Sequence, residues 1–116
     1  MLLDLNGFKQ VNDQCGHGAG DEVLIQVAAR FARVLPESAL LARLGGDEFG
    51  ILFNGGPQAT QETVQALKAC VSYPFQIGGK DISVGVSIGH VQNNEGGDLL
   101  AKADAAMYIA KRSLSL

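Results

Sequence analysis

Hydrophobic and polar positions follow different spacings along this chain, and each spacing predicts a kind of element. Residues 1–5 form a short apolar run that ends at Asn6-Gly7, which predicts a buried strand followed by a loop. Between residues 21 and 35 the apolar side chains recur with helical spacing, which predicts an amphipathic helix with Asp21 capping its first turn. The same spacing predicts helices over 60–72 and 98–111.

Two pairs of strand-like runs are each separated by two glycines, and they predict two β-hairpins. Residues 39–44 and 48–53 flank Gly45-Gly46, while residues 75–77 and 82–91 flank Gly78-Gly79. Tight hairpin turns need positive φ, which glycine adopts without steric cost. Within 82–91 apolar residues alternate with serine and glycine, so one face of that strand is small enough for close packing.

The order of these elements is strand, helix, hairpin, helix, hairpin, helix. This order predicts an α+β sandwich with a mixed, mostly antiparallel sheet and flanking helices. The 116 residues fit one domain, and no repeat or linker interrupts them.

Composition narrows the classes of protein that this chain resembles. A net charge of −3 argues against a nucleic-acid surface, and no apolar run is long enough for a membrane span or a signal peptide. We therefore expect a cytoplasmic protein with no nucleic-acid or membrane contact from this segment. Its two cysteines are far apart and lack metal-ligand spacing, so we expect reduced thiols. An acidic domain can still bind triphosphates if metal ions supply the compensating charge.

Three acidic residues lie at predicted strand ends next to glycines. Asp4 ends the first strand, and Asp47-Glu48 follow the Gly45-Gly46 turn. If the first strand pairs beside this hairpin, the three carboxylates converge, and oxygen-only ligands favour Mg²⁺. The alternative interpretation of Asp47-Glu48 is a solvated flank of the turn.

Residues between the first strand and the first predicted helix have the chemistry of a nucleotide site. The turn Asn6-Gly7-Phe8-Lys9 can present backbone N–H groups and a lysine to an anion, without the spacing of a Walker loop. The amide of Asn12 and the carboxylate of Asp21 match the hydrogen-bonding edge of guanine. Local capping is the alternative for both residues, and His17 alone is more typical of a structural role.

These residues together resemble the GGDEF family of diguanylate cyclases over the whole chain. Five stretches carry the resemblance in the family's order: Asp4-Leu5-Asn6-Gly7-Phe8-Lys9 with Asn12-Asp13, Gly16-His17-Gly18-Ala19-Gly20-Asp21, Ala42-Arg43-Leu44-Gly45-Gly46-Asp47-Glu48-Phe49, Val86-Ser87-Ile88-Gly89, and Ala103-Asp104-Ala105-Ala106-Met107-Tyr108 with Ala110-Lys111. The resemblance implies a palm-like, ferredoxin-like sandwich similar to nucleotidyl cyclases. It also implies that two subunits face each other, each with one GTP, and form cyclic di-GMP with release of two pyrophosphates.

The resemblance also implies roles for individual residues. Mg²⁺ or Mn²⁺ would be held by Asp4, the Leu5 carbonyl and Asp47, with Glu48 assisting. Asp47 or Glu48 would activate the 3′-hydroxyl. The remaining substrate contacts would come from Phe8, Lys9, Asn12, His17, Asp21, Gly45, Gly46 and Lys111. Of these, Asn12 and Asp21 would bind guanine, whereas Lys9 and Lys111 would bind phosphates and Lys9 would also assist catalysis.

Several positions depart from the family pattern. The chain lacks the helical element that precedes the first strand in full domains, so we expect a single GGDEF domain over 1–116 without that element. The family's inhibitory Arg-x-x-Asp site is replaced by Pro36-Glu37-Ser38-Ala39, and a family arginine falls on Ser115. An alternative function is therefore a non-catalytic GTP-binding module that regulates an attached domain. The pairs Pro74-Phe75 and Met107-Tyr108 resemble those of GGDEF domains that often precede a phosphodiesterase (EAL) domain. Fusion to sensory and/or EAL domains is therefore expected.

Overall fold

The computed structural model of this chain describes residues 1–90. Its elements are β1 (Leu2–Asn6), α1 (Phe8–Cys15), α2 (His17–Val34), β2 (Leu40–Gly45), β3 (Glu48–Leu52), α3 (Pro57–Val71), β4 (Phe75–Ile77), β5 (Lys80–Ile82) and β6 (Gly85–Gly89). The predicted helix over 98–111, with Lys111, lies outside the described residues. No helix of the part described is both long and apolar enough to cross a membrane.

Four strands form the central sheet in the order β2-β3-β1-β6, and each neighbouring pair is antiparallel. β4 and β5 form a separate two-stranded hairpin. The predicted α+β class, an antiparallel sheet with flanking helices, is confirmed. The first strand does pair beside the glycine hairpin, as the convergence of carboxylates requires, because β1 lies between β3 and β6.

One face of the sheet builds the core against α2 and α3. Its side chains alternate with those of the opposite face, as the strand period of two demands, and they are Leu3, Leu5, Phe49, Ile51, Val86 and Ile88. Helix α2 packs on the middle of this face, where the rings of Phe31 and Phe49 meet edge to face with centroids 5.5 Å apart. Both rings are almost fully buried, so this contact fixes α2 over the site-bearing strands.

Helix α1 is not among the predicted elements. The stretch from Asn6 to Lys9 is expected to be a turn, but only its first half is one. Gly7 is left-handed at φ 85°, and the helix begins at Phe8. In this short helix only Phe8 and Val11 are buried. Two apolar contacts in eight residues give too weak a period to be recognised in the sequence.

The predicted start of α2 is wrong. The helix begins at His17, four residues before Asp21, and its N-cap is Gly16, with no capping hydrogen bond from a side chain. Asp21 therefore lies inside the helix and does not cap it. The first turn contains mainly small residues and no periodic apolar stripe. The hydrophobic pattern therefore begins later in the sequence than the helix does.

The single strand predicted over 82–91 is also wrong, because it is two strands in two sheets. Ile82 of β5 pairs with Phe75 of β4, whereas Val86 of β6 pairs with Leu5 of β1. Ile82, Val84, Val86 and Ile88 are all buried, so the alternation continues across the break. A period of two shows which side chains are buried, but it does not show a change of hydrogen-bonding partner.

Arg30 joins α2 to the end of α3 and to β4. Its Nη1 donates to the carbonyl oxygens of Cys70 at 2.9 Å and Tyr73 at 2.7 Å, and its Nη2 donates to that of Pro74 at 2.9 Å. The guanidinium also lies 3.7 Å from the centre of the Phe75 ring. This arginine therefore donates to three backbone carbonyls between the end of α3 and β4, and it stacks on the fully buried ring of Phe75.

We expect Arg30→Met to lower the free energy of unfolding by about 1–2 kcal/mol, because three charge-assisted hydrogen bonds are lost, of which the one to Cys70 is partly buried. Urea unfolding followed by circular dichroism measures this change. Arg33→Met is the matched control, since Arg33 is exposed in the last turn of the same helix. Equal midpoints for the two variants would show that Arg30 contributes no more than a surface residue.

Both cysteines are free in the structure. Cys15 is exposed, and Cys70 is partly buried. Burial raises the pKa of the Cys70 thiol, although the nearby charge of Arg30 and a backbone hydrogen bond oppose that rise. The Cys70 thiol is therefore held in its neutral form, and it donates to the Leu67 carbonyl at 3.1 Å.

Candidate functional site

The acidic end of the site is built by β1 and β3. Asp4 lies directly opposite Glu48 in the antiparallel register, and the Leu5 amide donates to the Asp47 carbonyl at 3.1 Å. Residues directly opposite each other in such a pair project from the same face. Asp4 is buried and Glu48 is exposed, so one carboxylate lies inside the protein and the other at its surface. The structure thus places all four residues predicted for the metal site, Asp4, Leu5, Asp47 and Glu48, side by side on β1 and at the start of β3.

The residues of this acidic end have the type of ligand atom that Mg²⁺ or Mn²⁺ prefers. They offer only oxygen donors, which hard divalent cations prefer. Within residues 1–90, no three or more His, Cys, Asp and Glu side chains come together closely enough to hold a metal ion by themselves. Mg²⁺ commonly takes one or two carboxylates and completes its shell with water and substrate phosphates. The arrangement therefore fits an ion that arrives with a nucleotide.

Helix α1 begins immediately after this acidic end. Its N-cap Gly7 makes no side-chain capping bond, and its first turn contains no acidic residue. The N-terminal N–H groups of a helix attract anions, and this effect is strongest where no side chain satisfies them. Lys9 lies exposed in this first turn. The stretch predicted to be an anion-binding turn is thus a helix N-terminus, which serves the same chemistry.

The predicted guanine-binding residues lie where α1 meets α2. Asn12 of α1 packs its side chain onto Gly20 of α2: a Cβ on Gly20 would overlap the Asn12 Oδ1 and would lie 3.3 Å from the Phe8 ring. Asp21 follows Gly20 and is exposed. The structure therefore brings Asn12 to the helical turn that carries Asp21. Phe8 is buried in the core, and His17 is exposed at the first position of α2.

An open cleft of about 520 Å³ separates α2 from the β2–β3 hairpin. Its lining is mostly apolar, with one carboxylate and one guanidinium, and it comprises Asp21, Leu24, Ile25, Ala28, Leu41, Arg43 and Phe49. This volume is within the range of small-molecule sites. The cleft places Asp21 and Arg43 in the walls of one space, although Arg43 was not among the predicted site residues.

The strand β1 ends in a polar contact between strands. Asn6 Nδ2 donates to the Ser87 hydroxyl at 3.0 Å, and that hydroxyl lies 3.2 Å from Asn6 Oδ1. Ser87 is buried at the centre of β6, opposite Asp4. Asn6 is therefore engaged with β6 at the turn that leads into α1, which agrees with a structural role for an amide at this position.

A comparison with models of protein families shows which family this chain belongs to. The model of the family described as "Diguanylate cyclase, GGDEF domain" matches residues 1–115. The chain belongs to the GGDEF family. The resemblance predicted from the five motifs is confirmed.

Similar proteins come from several bacteria. The diguanylate cyclase TpbB of Pseudomonas aeruginosa is 40% identical over 120 residues, covering 97% of this chain and 27% of TpbB. MucR of the same species, a bifunctional diguanylate cyclase and cyclic di-GMP phosphodiesterase, is 40% identical over 116 residues, covering 96% of this chain and 17% of MucR. The chain thus spans about a quarter or less of the curated relatives it matches.

Solved GGDEF domains have the same fold. The crystal structure of the TpbB GGDEF domain superposes with a TM-score of 0.91 at 39% identity, covering 97% of this chain and 74% of that one. The GGDEF domain of DgcB from Caulobacter crescentus, solved with cyclic di-GMP, gives a TM-score of 0.84 at 31% identity, covering 97% of this chain and 70% of that one. The GGDEF fold therefore extends over the site residues described above.

Proposed function

We propose that this GGDEF domain binds GTP with Mg²⁺ or Mn²⁺ and, paired with a second copy, condenses two GTP into cyclic di-GMP. The observation that carries the proposal is the register of β1 against β3, which places Asp4 opposite Glu48 and bonds Leu5 to Asp47. Similarity to proteins named diguanylate cyclase supports the choice of reaction. A domain that only packs in a larger protein would not need acidic residues gathered beside an uncapped helix N-terminus.

In this proposal each group of residues has a separate task. Asn12 and Asp21 orient the guanine, while the first turn of α1 and Lys9 bind phosphate oxygens. Asp4, the Leu5 carbonyl and Asp47 hold the metal ion, with Glu48 beside them. The ion would neutralise phosphate charge and lower the pKa of the attacking hydroxyl. Phe8, the first residue of α1, would contribute its backbone N–H, whereas Gly45 and Gly46 would let the nucleotide approach the backbone closely. His17 and Lys111 remain proposed substrate contacts.

The reaction needs two subunits because each GTP is both nucleophile and electrophile. The 3′-oxygen of each nucleotide attacks the α-phosphorus of the other, and one pyrophosphate leaves from each. Asp47, or Glu48, accepts the proton of the attacking 3′-hydroxyl. One chain supplies one nucleotide in the required orientation, and the facing chain supplies its reaction partner.

Incubation of the chain with GTP and Mg²⁺, followed by mass spectrometry of the products, tests this proposal. We expect cyclic di-GMP and pyrophosphate in a one-to-two ratio, with no product when EDTA removes the metal. ATP in place of GTP is the matched control for guanine binding. Product formed equally from ATP would contradict the roles of Asn12 and Asp21.

A second function is favoured by the similarity to MucR, which joins a cyclase to a phosphodiesterase. In such a protein, a GGDEF domain that binds GTP without turnover can regulate the attached domain. Equilibrium dialysis with GTP separates the two functions: saturable binding without cyclic di-GMP would select the regulatory role.

A further inference from the structure

The turn between β2 and β3 contains two adjacent glycines, which can adopt more backbone conformations than other residues. Gly45 and Gly46 have φ of 154° and 50°, and the β2–β3 register shifts between Arg43 and Gly45. Adjacent glycines lack side chains that would restrict them, so their sequence alone selects no single turn conformation. Asp47 follows directly. The direction of its carboxylate therefore depends on contacts from outside the turn.

Two hydrogen bonds supply these contacts. The Arg43 Nε donates to the Gly46 carbonyl at 3.0 Å, and the Leu5 amide donates to the Asp47 carbonyl at 3.1 Å. The first bond holds the peptide group that precedes the Asp47 Cα, and the second holds the peptide group that follows it. Together the two bonds restrict the planes on both sides of the Asp47 Cα, and therefore φ, ψ and the direction in which its side chain leaves the backbone.

We propose that Arg43 is a positioning residue for Asp47 that acts by holding the Gly46 carbonyl. The role in the reaction rests on the proposed cyclase function. Arg43 itself is exposed in the wall of the cleft, and its backbone pairs with the buried Phe49. That pairing anchors the base of the side chain to the core. The Nε–H of arginine lies in a rigid plane close to the backbone, a geometry that a lysine ammonium does not reproduce.

Arg43→Lys tests this role because it keeps the positive charge and removes the Nε donor. We expect the free Mg²⁺ concentration for half-maximal activity to rise about tenfold, as for loss of a residue that orients a metal ligand. The KM for GTP at saturating Mg²⁺ should change less than about twofold, since Arg43 does not bind the nucleotide in this proposal. Arg33→Lys, an exposed position on α2, is the matched control.

A measurement without turnover keeps this inference separate from the cyclase proposal. In the ¹³C NMR spectrum of the nucleotide-free chain, the Gly46 carbonyl resonance should move in Arg43→Lys and stay in place in Arg33→Lys. If the unaltered chain forms no cyclic di-GMP but the resonance moves, the cyclase proposal fails and the hold of Arg43 on the turn stands. An unmoved Gly46 resonance, or a GTP KM that rises as much as the metal requirement, would overturn the positioning role.

Discussion

Asp47→Asn is expected to lower the rate of cyclic di-GMP synthesis by about a thousandfold. A metal ion at developing phosphate charge contributes several kcal/mol to transition-state stabilisation, and each 1.36 kcal/mol corresponds to tenfold in rate. The asparagine keeps the size of the side chain and the backbone hydrogen bond to Leu5, so the loss reports on the carboxylate. Product formation from GTP and Mg²⁺, followed by chromatography, measures it.

Glu37→Gln is the matched control for this substitution. Glu37 is also a carboxylate and is exposed in the loop between α2 and β2, away from the acidic end of the site. Its rate should stay within about twofold of the unaltered chain, as is usual for surface changes. Equal rates for Asp47→Asn and Glu37→Gln would remove Asp47 from the metal site.

Gly20→Ala is expected to weaken nucleotide binding while leaving the stability of the fold nearly unchanged. A Cβ at this position would overlap the Asn12 Oδ1, whose side chain can turn away at little cost, and would lie 3.3 Å from the Phe8 ring, which must shift slightly. Alanine also favours a helix over glycine by about 1 kcal/mol, so the unfolding midpoint should change little. The displaced Asn12, however, no longer presents its amide to guanine. We expect the KM for GTP to rise about tenfold or more, the scale of about 1–3 kcal/mol set by an unmade hydrogen bond.

Gly18→Ala provides the control for this second prediction. Gly18 lies in the same turn of α2, and a Cβ there meets nothing within 4 Å. Its KM for GTP should match that of the unaltered chain, while its helix is stabilised to a similar degree. Steady-state kinetics with GTP and thermal unfolding, run on both variants, give the comparison. A KM shared by the two variants would mean that Asn12 does not bind the base.

The first strand and the two glycine turns could be predicted from the sequence because their patterns are local, whereas the break between β5 and β6 could not. Residues 48–53 form a short, mostly apolar run beside Gly45-Gly46, and the structure has β3 at Glu48–Leu52. The convergence of Asp4 with Glu48 followed from one further assumption, that β1 pairs beside this hairpin, and the register confirms it. Local period and turn chemistry were sufficient for this half of the site.

The remaining half depends on contacts between residues distant in the sequence. Asn12 and Gly20 meet because α1 and α2 fold against each other, and helix α1 itself has too few apolar residues to be predicted. The three carbonyls bound by Arg30 lie 40 or more residues away. The sequence predicts Arg43 only as a residue of a strand, and its hydrogen bond to the Gly46 carbonyl is visible only in the folded turn.

The position of β1 in the sheet implies different local stabilities for the two sides of the proposed metal site. β1 is hydrogen-bonded on both edges, to β3 and to β6, and it carries Asp4 and Leu5. The β1 amides that are bonded within the sheet can exchange with solvent only when the sheet itself opens. The turn at 45–47 can open alone, and with it the Leu5 amide that donates to the Asp47 carbonyl. A nucleotide and its ion would bridge the two sides and bind only the closed turn. Ligand binding would therefore slow hydrogen exchange chiefly at the turn, and β1 would serve as the fixed half against which the turn closes.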